Sequence, residues 1–216
     1  MALELEAEEL RVIGSLIEKE LTTPQQYPLT LNALVLACNQ TSNRNPVVTY
    51  EERTVENTVM GLKDKGLTRI VHPSHGRSAT RYRQVLHEAL YLETEQLAVL
   101  GVMMLRGPQT LNELKTRTDR AADFADLDAV QATVDALANR EEPLVVRIPR
   151  QSGQREDRFA HLLGGEVDVA EVAAAAAASA PPPRQSRSDE VADLRQEVEA
   201  LRRDLDALRR ELGFDA

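Results

Sequence analysis

Tryptophan is absent from this chain of 216 residues, and aromatic side chains make up only 3% of it, so any core must be aliphatic. The single cysteine, Cys38, excludes an internal disulfide and suits a reducing cytoplasm. It stands in the apolar run Leu34-Val35-Leu36-Ala37-Cys38, which favours a buried structural thiol over a nucleophile. No apolar stretch approaches the ~20 residues that span a bilayer, so no membrane partner is expected. The N-terminus carries Glu4, Glu6, Glu8 and Glu9 and lacks the basic-then-apolar order of a signal peptide; the expected location is cytoplasmic. His72, His75, His87 and His161 have neither metal-ligand spacing nor a cysteine cluster beside them. A glycine-rich phosphate loop is also missing. No metal, cofactor or enzymatic activity is therefore expected. Positive charge is short too: the formal net charge of −9 argues against a protein that coats nucleic acid, while leaving room for a local basic surface.

What the chain does have is a repeat. The pentad Thr-Leu-Asn-x-Leu occurs at 30–34 and again at 110–114. Upstream, Glu9-Leu10-Arg11-Val12-Ile13-Gly14 is echoed by Gln96-Leu97-Ala98-Val99-Leu100-Gly101. Downstream, Val55, Thr58, Val59 and Leu62 are echoed by Val130, Thr133, Val134 and Leu137. The order is kept and the offset drifts only from about 87 to about 75 residues, the mark of a duplicated module. Modules of this size are small for a self-sufficient core, so the copies are expected to pack on each other.

Each copy reads as three helices and a hairpin. In the first, Leu10, Ile13, Leu16 and Ile17 give an apolar stripe to a helix over about 6–20. The charged Glu18-Lys19-Glu20 reads as an exposed turn at its end. Thr30 can cap a second helix, and Thr49, with Glu52 as capping-box partner, a third that ends at Gly66. Between them, residues 39–45 form an unusually polar loop, whose amides either face a partner or satisfy helix ends and turn backbone. A strand at 67–71, a turn at 74–78 and a return strand from Thr80 complete the copy. The second copy has helices at about 94–106, 110–118 and 127–140, the last capped by Asp126, then strands at 144–148 and 158–161. Three helices followed by a β-hairpin is the winged helix-turn-helix order. The expected fold is mainly α with small β-hairpin wings (α+β). It comprises two tandem winged helix-turn-helix domains at 1–88 and 89–163, an Ala/Pro-rich linker at 164–188 and a C-terminal coiled-coil helix at 189–213.

In that tail Val191, Leu194, Val198, Leu201, Leu205, Leu208 and Leu212 alternate spacings of 3 and 4. This is an a/d seam of about three heptads, and it leans toward a parallel homodimer over a helix docked on its own domains.

The stretch 16–24, then Tyr27-Pro28-Leu29-Thr30-Leu31-Asn32-Ala33-Leu34 and Ala37-Cys38-Asn39-Gln40-Thr41-Ser42-Asn43-Arg44-Asn45-Pro46-Val47, closely resembles the YceH-like family of bacterial proteins of uncharacterised function. The similarity extends over about residues 6–163. The resemblance implies tandem winged-helix domains in a cytoplasmic protein. It carries over no ligand, partner or catalytic residue.

A winged helix meets DNA with its third helix in the major groove and its wing along the backbone. Here Arg53 and Asn57 lie four apart on the helix face opposite Val55 and Val59, where arginine can pair with guanine and asparagine with adenine. Lys65, Arg69, Arg77, Arg81 and Arg83 follow without an intervening acid, with His75 at the turn and Arg44 in the preceding loop. Phosphate contacts of this kind supply most non-specific affinity. Glu51, Glu52 and Glu56 oppose this reading, unless they serve the helix dipole. The second copy carries Asp126, Asp128 and Asp135 on its third helix and suits packing or a protein partner better. The expectation is a DNA-binding regulator or nucleoid accessory factor that reads double-stranded DNA through the first domain. The alternative is a protein–protein adaptor without DNA contact.

Overall fold

The computed structural model describes residues 3–72, 79–150, 154–165 and 167. The chain divides into units Met1–Ala177 and Ala178–Ala216, and the described residues belong to the first. It is a mixed α+β structure, about 50% helical, with small antiparallel sheets. The expected turn residues at 74–78, Ser152 and Gly153, the coil seam and the linker beyond Val167 lie outside the described residues.

Helix α1 (Ala7–Thr22) starts where the Glu9 carboxylate reaches back to accept the Glu6 N–H at 3.0 Å. Its stripe of Val12, Ile13, Leu16 and Ile17 is buried. A short turn at Pro24–Gln26 leads to strand β1 (Leu29–Thr30). The Thr30 hydroxyl then caps α2 (Leu31–Cys38) by accepting from Ala33 N at 3.3 Å. Helix α3 (Glu52–Asp64) buries Val55, Val59 and Leu62. Strands β2 (Thr68–Val71) and β3 (Arg81–Gln84) pair with Ile70 opposite Tyr82. β1 joins the far edge of β3, giving the order β1-β3-β2. A short α4 (Leu86–Leu90) closes this half.

The second half repeats the plan. Gln96 accepts the Glu93 N–H at 3.1 Å ahead of α5 (Thr94–Arg106). Thr110 caps α6 (Leu111–Thr118) and Asp126 caps α7 (Leu127–Ala138). Strands β4 (Val145–Ile148) and β5 (Arg158–His161) form the hairpin. Where the first half has β1 on β3, with Leu29 opposite Tyr82, the second has a single bridge of Gln109 to Phe159.

The halves share one buried cluster, which runs from Val12 and Leu16 through Val59 and Leu100 to Val134 and Phe159. Its centre is the crossing of α1 and α5. A Cβ built on Gly14 would lie 2.9 Å from Leu105 Cγ and 3.2 Å from Met104 Cβ. A Cβ on Gly101 would lie 2.8 Å from Ile17 Cγ2. Gly14 and Gly101 occupy the same position in the repeat, as do Ile17 and Met104. The contact is therefore reciprocal about a pseudo-two-fold axis, and the echoed glycine is what lets the helices approach so closely.

Three details differ from expectation. Thr49 does not cap α3, whose N-cap is Glu51. The chain ahead of that helix is pinned elsewhere: Asn39 Oδ1 accepts the Tyr50 N–H at 2.8 Å and Asn39 Nδ2 donates to the Tyr50 carbonyl at 2.9 Å. β1 and α4, to which the sequence reading assigns no strand or helix, are short elements, the first paired with β3 and the second following it. Glu18 is not an exposed turn residue but the partner of a buried arginine. Cys38 is buried as expected, and burial pushes its thiol up to about 11.

Substituting Gly101→Ala is expected to destabilise the fold by about 1–2 kcal/mol, overpacking outweighing the gain in helix propensity. Gly61→Ala, with nothing within 4 Å of its Cβ, is the matched control and should be neutral or stabilising. Urea unfolding of both variants measures the difference; equal midpoints would mean that the crossing tolerates a side chain.

Candidate nucleic-acid interface

The candidate surface begins with α3. Its buried stripe of Val55, Val59 and Leu62 packs inward, and the β2 residue Thr68 ties the helix to the sheet by donating its hydroxyl to the Val59 carbonyl at 2.9 Å. That burial turns Arg53 and Asn57 outward, both exposed and without a side-chain partner among the described residues. Glu51, Glu52 and Glu56 are exposed on the same helix or at its cap. Lys65, at the C-cap, reaches Glu9 of α1 at 2.7 Å.

On the hairpin, Arg69 and Arg83 are direct cross-strand partners. Like charges in that register repel. Glu88 of α4 relieves them: Arg69 Nη2 sits 2.7 Å from one carboxylate oxygen and Arg83 Nη2 3.2 Å from the other. Arg81 donates Nη1 to the Pro28 carbonyl at 2.7 Å. The second half contains the same bond, from Arg158 Nη1 to the Pro108 carbonyl at 3.0 Å. A contact present in both copies belongs to the scaffold, so Arg81 is a latch between the sheet and the segment before α2. The alignment of Pro28-Arg81 with Pro108-Arg158 was available in the sequence as the signal for it.

Arg44 leaves the candidate surface. Its side chain is fully buried, and all three of its side-chain nitrogens donate within the fold. Nη1 and Nη2 grip Glu18 at 3.1 and 2.7 Å, and Nε and Nη2 meet the Ala37 carbonyl at 3.1 and 2.8 Å. Buried Arg11 joins it at the same helix end, donating Nη1 to the Cys38 carbonyl at 3.1 Å. The two guanidiniums thus terminate α2 at its negative end. Burial pulls the Glu18 carboxyl upward, but the hydrogen bond and charge of Arg44 outweigh it and hold that carboxyl below its ordinary value. His75 and Arg77 lie outside the described residues.

The structure places Arg53 and Asn57 on the exposed side of α3, and Arg69 and Arg83 on the hairpin face that meets Glu88, opposite the face of Thr68 and Tyr82; Lys65 and Arg81 are committed to bonds of their own. The second copy lacks this set. In the aligned positions of α7 stand Asp128 and Ala132, and in the aligned positions of β4 and β5 stand Val146 and Ala160. On its hairpin, Arg147 is taken up by Asp157 and Arg158 by Glu113 at 2.8 Å. Among the described residues, no cluster of His, Cys, Asp and Glu could hold a metal ion, and no helix is long and apolar enough to cross a membrane.

Residues 5–154 match the model of a family described as a protein of unknown function, DUF480. The chain is 51% identical over 162 residues to a UPF0502 protein of Geobacter sulfurreducens, covering 75% of this chain and 73% of that one. It is 46% identical over 192 residues to a UPF0502 protein of Geobacter metallireducens, covering 88% and 86% of the two. Similarity to a Pseudomonas putida UPF0502 protein is 46% over 166 residues, 77% and 75% of the two chains.

Replacing Arg44 by Ala would leave the partly buried Glu18 with only Lys19 at 3.4 Å and remove the donors on the Ala37 carbonyl, and should cost about 3 kcal/mol. Glu18 titrates lower in the folded state, so its share of this stability is present above its ordinary pKa. It is lost as pH falls through the folded value. Thermal melts from neutral to acid pH should show the gap between wild type and Glu18→Gln closing in that range; a pH-independent gap would rule the ion pair out as its cause.

Proposed function

Since the chain belongs to the DUF480, or UPF0502, family, whose description assigns no activity, we propose a function from geometry alone: it is a DNA-binding protein, a transcriptional regulator or nucleoid accessory factor, built on tandem winged helices. In this reading α3 is the recognition helix and β2–β3 the wing of the first domain. Arg53 and Asn57 address base edges, and Arg69 and Arg83 hold phosphates after exchanging Glu88 for them. The observation that carries it is the difference between copies. One scaffold appears twice, and the fold tolerates Asp128, Ala132, Val146 and Ala160 where the first copy has Arg53, Asn57, Arg69 and Arg83. What the scaffold does not need in one copy is available for recognition in the other. The carboxylates at the start of α3 lie over its positive dipole end and stabilise it.

A second reading is a protein–protein adaptor. It is favoured by exposed apolar side chains on the first half, Leu36 at 64% and Val47 at 55%, and by the acidic α7 of the second. In either reading the chain is a cytoplasmic homodimer, paired through the a/d seam from Val191 to Leu212.

Titrating salt against binding to a mixed-sequence duplex tests the DNA reading. Arg53→Ala/Arg69→Ala/Arg83→Ala should weaken binding at low salt and lower the salt slope by about 2, roughly one unit per lost phosphate contact. A wild type that binds no better than this folded variant rules DNA out. A stoichiometric protein partner retained after nuclease treatment would select the adaptor. For the seam, truncation after Gly165 should reduce the number of chains per particle, read from light scattering against the chain mass, from two to one; a particle that still holds two chains refutes pairing through the tail.

A further inference from the structure

A cavity of about 350 Å3 lies beside the α1–α5 crossing, within the usual range for small-molecule sites. Its apolar wall is the crossing itself, with Ile17, Gly101 and Leu105. Its polar wall follows the same pseudo-two-fold axis. Lys19 of α1 and Arg106 of α5 stand at matching positions of the repeat, and both line it. The segment after α2 contributes Gln40 and Asn43, and the last turn of α6 with the residues after it contributes Arg117 and Arg120.

The charges do not balance. Glu18 is the one acidic side chain on the wall, and buried Arg44 holds it at 2.7 Å. Lys19 stands 3.4 Å from the same carboxylate, and Arg117 has Glu113 at 3.2 Å. Arg106 has only a neutral partner, the Asn43 side-chain oxygen, and Arg120 has no side-chain partner among the described residues. Arg106 and Arg120 therefore line the cavity without an ion pair of their own among the described residues, in a chain whose net charge is −9. Burial, and then the Arg117 charge, push the Arg106 pKa down against the opposing pull of Glu18 and Glu113.

We propose that this cavity is a binding site for a small phosphate-bearing anion, held by Arg106 and Arg120 with Arg117 and Lys19 at its edge. A dianion matches the two unpaired guanidiniums; a single carboxylate would leave one of them over. The Gln40 and Asn43 amides supply neutral hydrogen bonds to the same ligand, which gives the polar loop after α2 a role beyond ending that helix. The ligand would touch both copies at once and fix their packing. Anion binding here is independent of what α3 meets.

Isothermal titration of the full chain with inorganic pyrophosphate, with acetate as the single-carboxylate comparison, tests it. Saturable binding of pyrophosphate in preference to acetate is expected, with a matching rise in melting temperature. Arg120→Gln, at an exposed position, should weaken it about tenfold without changing the melt of the free protein, and Arg106→Gln at least as much. No saturable binding at millimolar pyrophosphate overturns the proposal, as does binding that survives both substitutions together. Binding lost instead with Arg53→Ala/Arg69→Ala would place the anion on the hairpin face and equally refute it.

Discussion

The close approach of α1 and α5 is the constraint on which the rest of this structure depends. Each repeat alone is small for a core, and neither has tryptophan to fill one. Leaving out a Cβ at Gly14 and Gly101 brings the two helices near enough for Val12, Ile13 and Leu16 to share one buried cluster with Val99, Leu100 and Met103. Dispersion and hydrophobic burial then act on a core of useful size. The position of that crossing decides what is left outside it: two hairpins, the exposed face of α3, and a cleft lined from both copies.

Much of this was legible in the sequence because it is local or periodic. The repeat shows as self-similarity along the chain, and the helix stripes and the caps at Thr30, Thr110 and Asp126 each depend on residues within a turn or two of one another. Features that depend on distant partners were not. Thr49 had the right chemistry for a cap, but Asn39 fixes the Tyr50 peptide and the helix starts later. Arg44 sits among serine and asparagine and reads as a surface residue; only the folded chain brings Glu18 and the end of α2 to it. The neutralisation of Arg69 and Arg83 was equally hidden, because Glu88 lies on a helix too short to announce itself by periodicity.

The same comparison sorts the basic residues by what they do for the fold. Arg81 and Arg158 make one bond in both copies, and Arg11 and Arg44 end a helix. These arginines are structural despite their charge. Lys19 and Arg106 also match, and both line the cleft, Lys19 against Glu18 and Arg106 against Asn43. Arg53, Arg69 and Arg83 have no counterpart in the second copy at all. Composition gave no hint of this division, since a net charge of −9 averages over residues with three different duties.

The reciprocal seating of Gly14 and Gly101 has one more consequence. A contact in which residue i meets j while the equivalents of j meet the equivalents of i is the geometry of an isologous dimer. In a true dimer every substitution enters twice, so the two surfaces stay identical. Here both halves are carried on one polypeptide, and a change such as arginine against aspartate at the matched positions 53 and 128 enters once. The chain keeps the buried symmetry that stabilises it while its outer faces remain at liberty to diverge.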